Sequence, residues 1–266
     1  MVEEQKFEAK IEQQHLDTIL EALTLKKIFP FCPLEVRTKD KISLISFQEN
    51  ENRSIFRYAR YMKDYFNYLK PVDSKIFINV EKLHKIISKS APEDMIRLVT
   101  EGNKLVVEMP KATVELNLLD NAMGACVGLP FDIGKDGIVD FKTAGPLENI
   151  FTIPSSMIKD AVAYGSILDT DVYQFILDDK RKLTILVGNL EDNAEKATFT
   201  PTCTMVKYTS PVTSTLSIGV SEIAATFSSD VTVQCKTNYP VWFAEEDHKH
   251  KLGVLIAPRI EKKEGD

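Results

Sequence analysis

The chain can be laid over itself, and this internal duplication limits its possible folds more than any other feature. Residues 7–11 read as a short strand, followed by an amphipathic helix in which Leu16, Ile19, Leu20 and Leu23 recur at helical spacing. Residues 149–153 open a second half in the same way. There Pro154 and Ser155 suit a helix start, and Met157, Ile158, Ala161 and Val162 supply the apolar positions. Later in each half the order strand, helix, strand recurs, first over 75–79, 80–90 and 95–100, then over 215–218, 219–227 and 231–236. The later landmark follows the earlier by about seventy residues in one half and about sixty-five in the other, too long a period for a solenoid. A tandem pair of similar α+β domains fits it. Residues 41–47, 54–61, 104–109, 113–119, 172–177 and 182–187 are strand-like, alternating or apolar for only a few positions, as in antiparallel sheets with helices on one face.

Between the halves, Gly124, Gly128, Pro130, Gly134, Gly137, Gly145 and Pro146 make the densest turn chemistry in the chain. The expected organisation is therefore an N-terminal domain over 1–120, a long connecting loop over 121–148 and a C-terminal domain over 149–266. With 44% apolar residues in 266, each half can bury a core. No stretch approaches the ~18 to 20 uncharged apolar residues of a membrane span, and the acidic start is no signal peptide. The expectation is a soluble protein of the cell interior, cytoplasmic or nucleoid, or nuclear in a eukaryote. Cys32, Cys126, Cys203 and Cys235 stand far apart with no C-x-x-C pair, which argues against a zinc site or a redox dithiol. A net charge of −6 is opposite to the usual footprint of a protein that grips DNA through phosphates. Either DNA is not a ligand or the positive charge is gathered on one face.

The end of the chain is also informative. Val254, Leu255 and Ile256 suit a buried strand, and Pro258, with no N–H, should stop its pairing, leaving Ile260 on the surface. This closing run, residues 255–261, resembles the Leu-Ala-Pro-Lys/Arg-Ile-Glu segment that ends the DNA sliding clamps of the archaeal and eukaryotic proliferating cell nuclear antigen (PCNA) family. Residues 7–11 and 19–23 are similar to the family's opening strand and first helix; 78–80, 85–87 and 93–94 resemble its second helix and the following turn. Residues 127–130 are similar to the Leu-Gly-Ile-Pro core of the loop joining its halves.

The resemblance implies the DNA-clamp fold, with antiparallel sheets outside and helices lining the inner face of a ring of six domains, hence three subunits. It implies no catalysis and no cofactor. Double-stranded DNA is the expected partner inside the ring. Polymerase, clamp loader, nuclease or ligase clients would bind outside through a short Gln-x-x-hydrophobic-x-x-aromatic-aromatic peptide. Lys82, Lys85 and Lys89 fall at i, i+3 and i+7 on the second helix, opposite Val80, Leu83 and Ile87, and are the expected DNA contacts, joined by Lys10 and Lys159. For the client pocket the resemblance points to Val127, Leu129, Pro240, Ile256, Ala257, Pro258 and Ile260, with Phe47 added, as exposed apolar positions. The chain also departs from the family. Its first helix carries Asp17, Thr18 and Thr24 where lysines are usual, and Lys159 is countered by Asp160. A specialised subunit, heteromeric, viral or checkpoint-type, is the alternative within the class.

The rival from another class is a metal-dependent enzyme using Glu245, Glu246, Asp247, His248 and His250, which gather carboxylates and imidazoles as a metal site does. A solvated hairpin turn between two apolar runs explains them more simply, and no metal is expected. There is no Gly-rich phosphate loop, nucleophile elbow or H-E-x-x-H.

Overall fold

The computed structural model describes residues 6–39, 41–119, 131–134, 137–142, 145–188, 195–217 and 219–259. The chain folds as two compact units, and short segments cross the expected boundaries: unit 1 holds Met1–Asn50, Arg57–Val127 and Glu246–Leu252, and unit 2 holds Glu51–Phe56, Gly128–Glu245 and Gly253–Asp266.

In unit 1, β1 (Glu8–Glu12) runs straight into α1 (Gln13–Thr24), then β2 (Phe31–Arg37), β3 (Ser43–Glu49), β4 (Ile55–Met62), β5 (Tyr68–Leu69) and β6 (Ser74–Asn79). Next come α2 (Val80–Ile87), β7 (Met95–Glu101), β8 (Lys104–Met109) and β9 (Ala112–Asn117). A five-stranded sheet has the order β5-β1-β7-β8-β9, and β4-β3-β2-β6 are neighbours in that order. α1 has no side-chain N-cap. Its first amides are satisfied instead by carbonyls from the turn before β7, Gln13 N–H donating to Asp94 O and Gln14 N–H to Pro92 O. It ends where Leu25, Lys26 and Lys27 all take positive φ, a left-handed run that no helix can continue. α2 is capped by Asn79, whose Oδ1 accepts from Lys82 N–H at 2.8 Å. Leu16, Ile19, Leu20 and Leu23 of α1, and Val80, Leu83 and Ile87 of α2, are buried, and the two helices pack together.

Unit 2 starts with small strands β10 (Phe131–Ile133), β11 (Val139–Phe141) and β12 (Gly145–Pro146), an antiparallel sheet formed by the second part of the connecting segment. Phe131 seats it against Trp242 at 6.1 Å and Phe56 at 5.9 Å between ring centroids. Gln234 locks it from below, accepting from Val139 N–H and donating to Gly137 O. After it come β13 (Asn149–Pro154), α3 (Ser155–Ile167), β14 (Tyr173–Leu177), β15 (Leu183–Gly188), β16 (Lys196–Phe199), β17 (Thr204–Lys207) and β18 (Val212–Leu216). α4 (Val220–Thr226), β19 (Asp230–Cys235), β20 (Val241–Glu246) and β21 (His250–Ile256) follow, with Glu246 and the first residues of β21 belonging to unit 1.

Strand order proves the duplication. β17-β13-β19-β20-β21 follows the plan of β5-β1-β7-β8-β9, and β16-β15-β14-β18 follows that of β4-β3-β2-β6. In each plan the opening strand lies beside the strand after the second helix, and each unit packs one helix pair. The architecture is α+β with antiparallel pairing, as between β1 and β7, β2 and β6, β13 and β19, and β14 and β15.

Candidate functional site

The solvent side of α2 carries Lys82 and Lys85, both exposed, with Val80, Leu83 and Ile87 on its buried side. Lys89 is exposed too, but the helix stops at Ile87, two residues short of it. Ser88 ends it by donating its N–H to His84 O and its hydroxyl to Lys85 O, and Lys89 N–H then reaches only to Ile86 O. The three lysines therefore form a pair on the helix and one on the turn, instead of one continuous helical stripe. Lys159 is exposed on α3 beside the exposed Asp160. Lys10 is on a strand and not on a helix. It lies on the open face of β1, opposite the buried Ala9 and Ile11 and across from Arg97 in register, whose guanidinium binds Glu8 and Glu108.

The rest of the helix surface is not basic. α1 exposes Gln14, His15, Thr18 and Glu21, with Asp17 half-buried. α4 offers Glu222 and no base, and α3 exposes the large apolar Tyr164 and Ile167.

The C-terminal run leaves β21 at Ile256, as the proline requires, yet the backbone stays anchored. Ala257 N–H donates to Ser54 O and Arg259 N–H to Thr215 O, both at 2.8 Å, so the residue that lacks an N–H falls between two that use theirs. Ala257, Pro258 and Pro240 are half-buried apolar positions of unit 2, and Phe47 is half-buried in unit 1. Ile256 is core, as the strand pattern requires and against its place among the exposed pocket positions: it is the last strand residue, and its Cδ1 lies against the Gly219 backbone that opens α4. Val127, Leu129 and Ile260 lie outside the described residues.

The Glu245–His250 cluster is dispersed by the fold. Glu245 is buried, and its carboxylate accepts from Ser228 N–H, Ser228 hydroxyl and Ser229 N–H just beyond α4. Asp247 closes the hairpin by accepting from the N–H groups of Lys249 and His250. Burial pulls the Asp247 pKa up, but those two N–H groups and the neighbouring histidines outweigh it and hold the carboxyl below its ordinary value. Among the described residues the grouping able to hold a metal is a different one, Asp17, Glu21 and His84, which the sequence reading did not bring together. Burial drives the Cys235 thiol up to about 12, so it is an inert core group.

A duplicated α+β plan with one helix pair in each unit is the plan of the DNA-clamp fold. Solved structures agree over nearly the whole chain: A. fulgidus PCNA with the C-terminal region of FEN-1 bound matches with a TM-score of 0.77 at 17% identity, covering 97% of this chain and 100% of that one. Proliferating cellular nuclear antigen from Entamoeba histolytica matches with a TM-score of 0.73 at 16% identity, covering 96% and 99%. The chain thus has the PCNA fold. No family sequence profile and no curated protein sequence matches it. No helix of the described residues is long and apolar enough to cross a membrane.

Proposed function

We propose that the chain is a sliding-clamp subunit that closes with other subunits into a ring, encircles duplex DNA and tethers replication or repair enzymes. The observation that carries this reading is the agreement with solved PCNA structures over 96–97% of the chain, across both of its halves. Such a protein works by linkage, raising the local concentration of a client at its template without chemistry of its own. Contact with DNA rests on Lys82 and Lys85, with Lys89 and Lys159 at the margins, and is indifferent to base sequence. The functional domains are taken as 1–120 and 149–266, joined by 121–148.

Open strand edges support ring closure. β9 ends the sheet of unit 1 and β16 ends one in unit 2, and among the described residues neither edge pairs with a further strand. Pairing β9 of one copy with β16 of the next is a head-to-tail contact, which closes into a ring when the rotation per subunit divides a full turn. Tyr164, packed edge-on to Phe199 of β16, and the exposed Ile167 add apolar surface beside that edge. Client binding is supported by the half-buried Pro240, Ala257 and Pro258 and by the FEN-1 segment held by A. fulgidus PCNA. The excess of acids on the four helices, Asp17, Glu21, Glu81, Asp160 and Glu222 against Lys82, Lys85 and Lys159, favours a second version, a mixed ring in which a more basic subunit supplies the grip.

Mass measurement of the purified protein, followed by retention on DNA after loading, tests the reading. A trimer that stays on nicked circular DNA and slides off linear DNA is expected. A monomer that forms a ring only with another clamp chain selects the mixed version, and equal retention on circular and linear DNA refutes encirclement.

A further inference from the structure

We propose that the pocket between the end of α3 and the start of β14 binds an alkylammonium cation, either a free polyamine or the lysine side chains of a protein partner. The last turn of α3, the turn after it and the end of β18 enclose an open pocket of about 400 Å³, walled by Gly165, Ser166, Asp169, Asp171, Tyr173 and Ser217. A volume of this size takes a small organic ligand. The backbone fixes the turn: Leu168 N–H donates to Tyr164 O, Thr170 N–H to Gly165 O and Val172 N–H to the Thr170 hydroxyl, with Asp169 left-handed at φ 49° among them. The charges that the described residues bring to the pocket are all negative. Asp169 and Asp171 stand on its wall, and Glu222, in the first turn of α4, is near enough to act on the Tyr173 hydroxyl. Among the described residues no lysine or arginine lines it or forms an ion pair with these three acids. The carbonyl end of α3 adds the partial negative charge of a helix C-terminus.

Acids alone are common on a protein surface, and Tyr173 is what singles this place out. Only 4% of the residue is exposed, yet its hydroxyl has no hydrogen-bond partner among the described residues. A phenol so deeply set ordinarily finds one. The hydroxyl lies against Gly165, itself a wall of the pocket: a Cβ there would stand 2.4 Å from it and 3.0 Å from Thr170 O. Glycine weakens a helix relative to alanine, and here it makes room for the phenol tip. Burial first, and then the charges of Asp171 and Glu222, raise the Tyr173 pKa, so the group stays a neutral hydroxyl whose oxygen can accept an N–H. A bare metal ion fits poorly, because the three carboxylates do not gather within 4.8 Å of one another. Ammonium groups on an aliphatic stem fit better. Each carries three donors, enough to reach the Tyr173 oxygen and the carboxylates, and the stem can lie along Val162. The site does not depend on the clamp reading.

Calorimetric titration of the full-length protein with spermidine, and separately with acetyl-dilysine amide, at low and at physiological salt tests the site without DNA or clients. Saturable binding of one molecule per chain is expected. Tyr173→Phe keeps the ring and every charge, and should weaken binding about tenfold, the worth of one hydrogen bond to an ammonium. Asp171→Asn should weaken it by a similar factor. Asp230→Asn, an exposed acid paired with Pro154 at the other end of α3, should leave it unchanged. Near-UV circular dichroism checks that each variant is folded. A general attraction of cations to an acidic protein would respond alike to both aspartate changes and not at all to Tyr173→Phe, and that result overturns the proposal. So does the absence of saturable binding, or displacement of spermidine by an equal concentration of magnesium. Tighter binding of spermidine assigns the pocket to a free polyamine, and tighter binding of the dipeptide assigns it to a partner's lysines.

Discussion

Replacing Lys82 and Lys85 together by Ala is the sharpest test of how this chain meets DNA. Both ammonium groups are exposed on one side of α2, which is anchored by the buried Val80, Leu83 and Ile87 and by the Asn79 cap, so the change leaves the helix in place. If each lysine neutralises one phosphate, the pair contributes about 1.8 to the slope of log K against log salt on B-DNA. Across a fourfold rise in salt the parent protein should then lose about tenfold more affinity than the double variant. The assay is fluorescence anisotropy on short duplexes of several sequences over a salt series, and the effect should be the same on every sequence. Lys10→Ala is the internal comparison, because that side chain stands on a strand among Glu8, Arg97 and Glu108 and should leave the slope unchanged. Subunit mass and client-peptide affinity should not move in any variant. An unaltered slope in the double variant, or an equal loss from Lys10→Ala, would show that another face meets the duplex.

Two further outcomes concern stability. Gly253→Ala should be severe, because the new Cβ would lie 2.0 and 2.2 Å from Trp242 ring carbons in a fully buried site. Overpacking at a rigid ring costs about 3 kcal/mol, or roughly 6 to 12 °C in Tm at this size, and a Tm within 2 °C of the parent, followed by the fluorescence of the lone tryptophan, would refute the packing. Asp247→Asn keeps the hairpin acceptor and removes its charge. Since the folded carboxyl titrates below its ordinary value, its contribution is present above the unfolded pKa and lost as pH falls through the folded one. Urea unfolding should find the variant weaker than the parent near neutrality and equal to it in strong acid; a gap independent of pH would contradict the assignment.

What the sequence disclosed and what it hid follow from the range of the forces involved. The opening strands and all four helices are legible because an apolar stripe is local: β13 and α3 occupy 149–167 as their pattern requires. Strand β2 is not, because Pro33 sits in its middle and pairs opposite Phe77, at a place where a proline argues against an interior strand. The three short strands over 131–146 lie where the sequence predicts a connecting loop, for a similar reason. Their stability comes from Phe131 against Trp242 and Phe56, and from Gln234 bonding Val139 and Gly137 about a hundred residues away, none of which leaves a periodicity. The same distance explains the two carboxylate clusters. Glu245 and His250 are close in sequence and drew attention as ligands, but β20 turns Glu245 inward to the Ser228 amide while His250 remains at the hairpin. Asp17 and His84 are far apart in sequence and meet at 2.7 Å because α1 and α2 pack side by side. A donor set assembled across a helix seam carries no spacing motif, so only the packing of the two apolar faces, which the sequence does encode, could have brought it to notice.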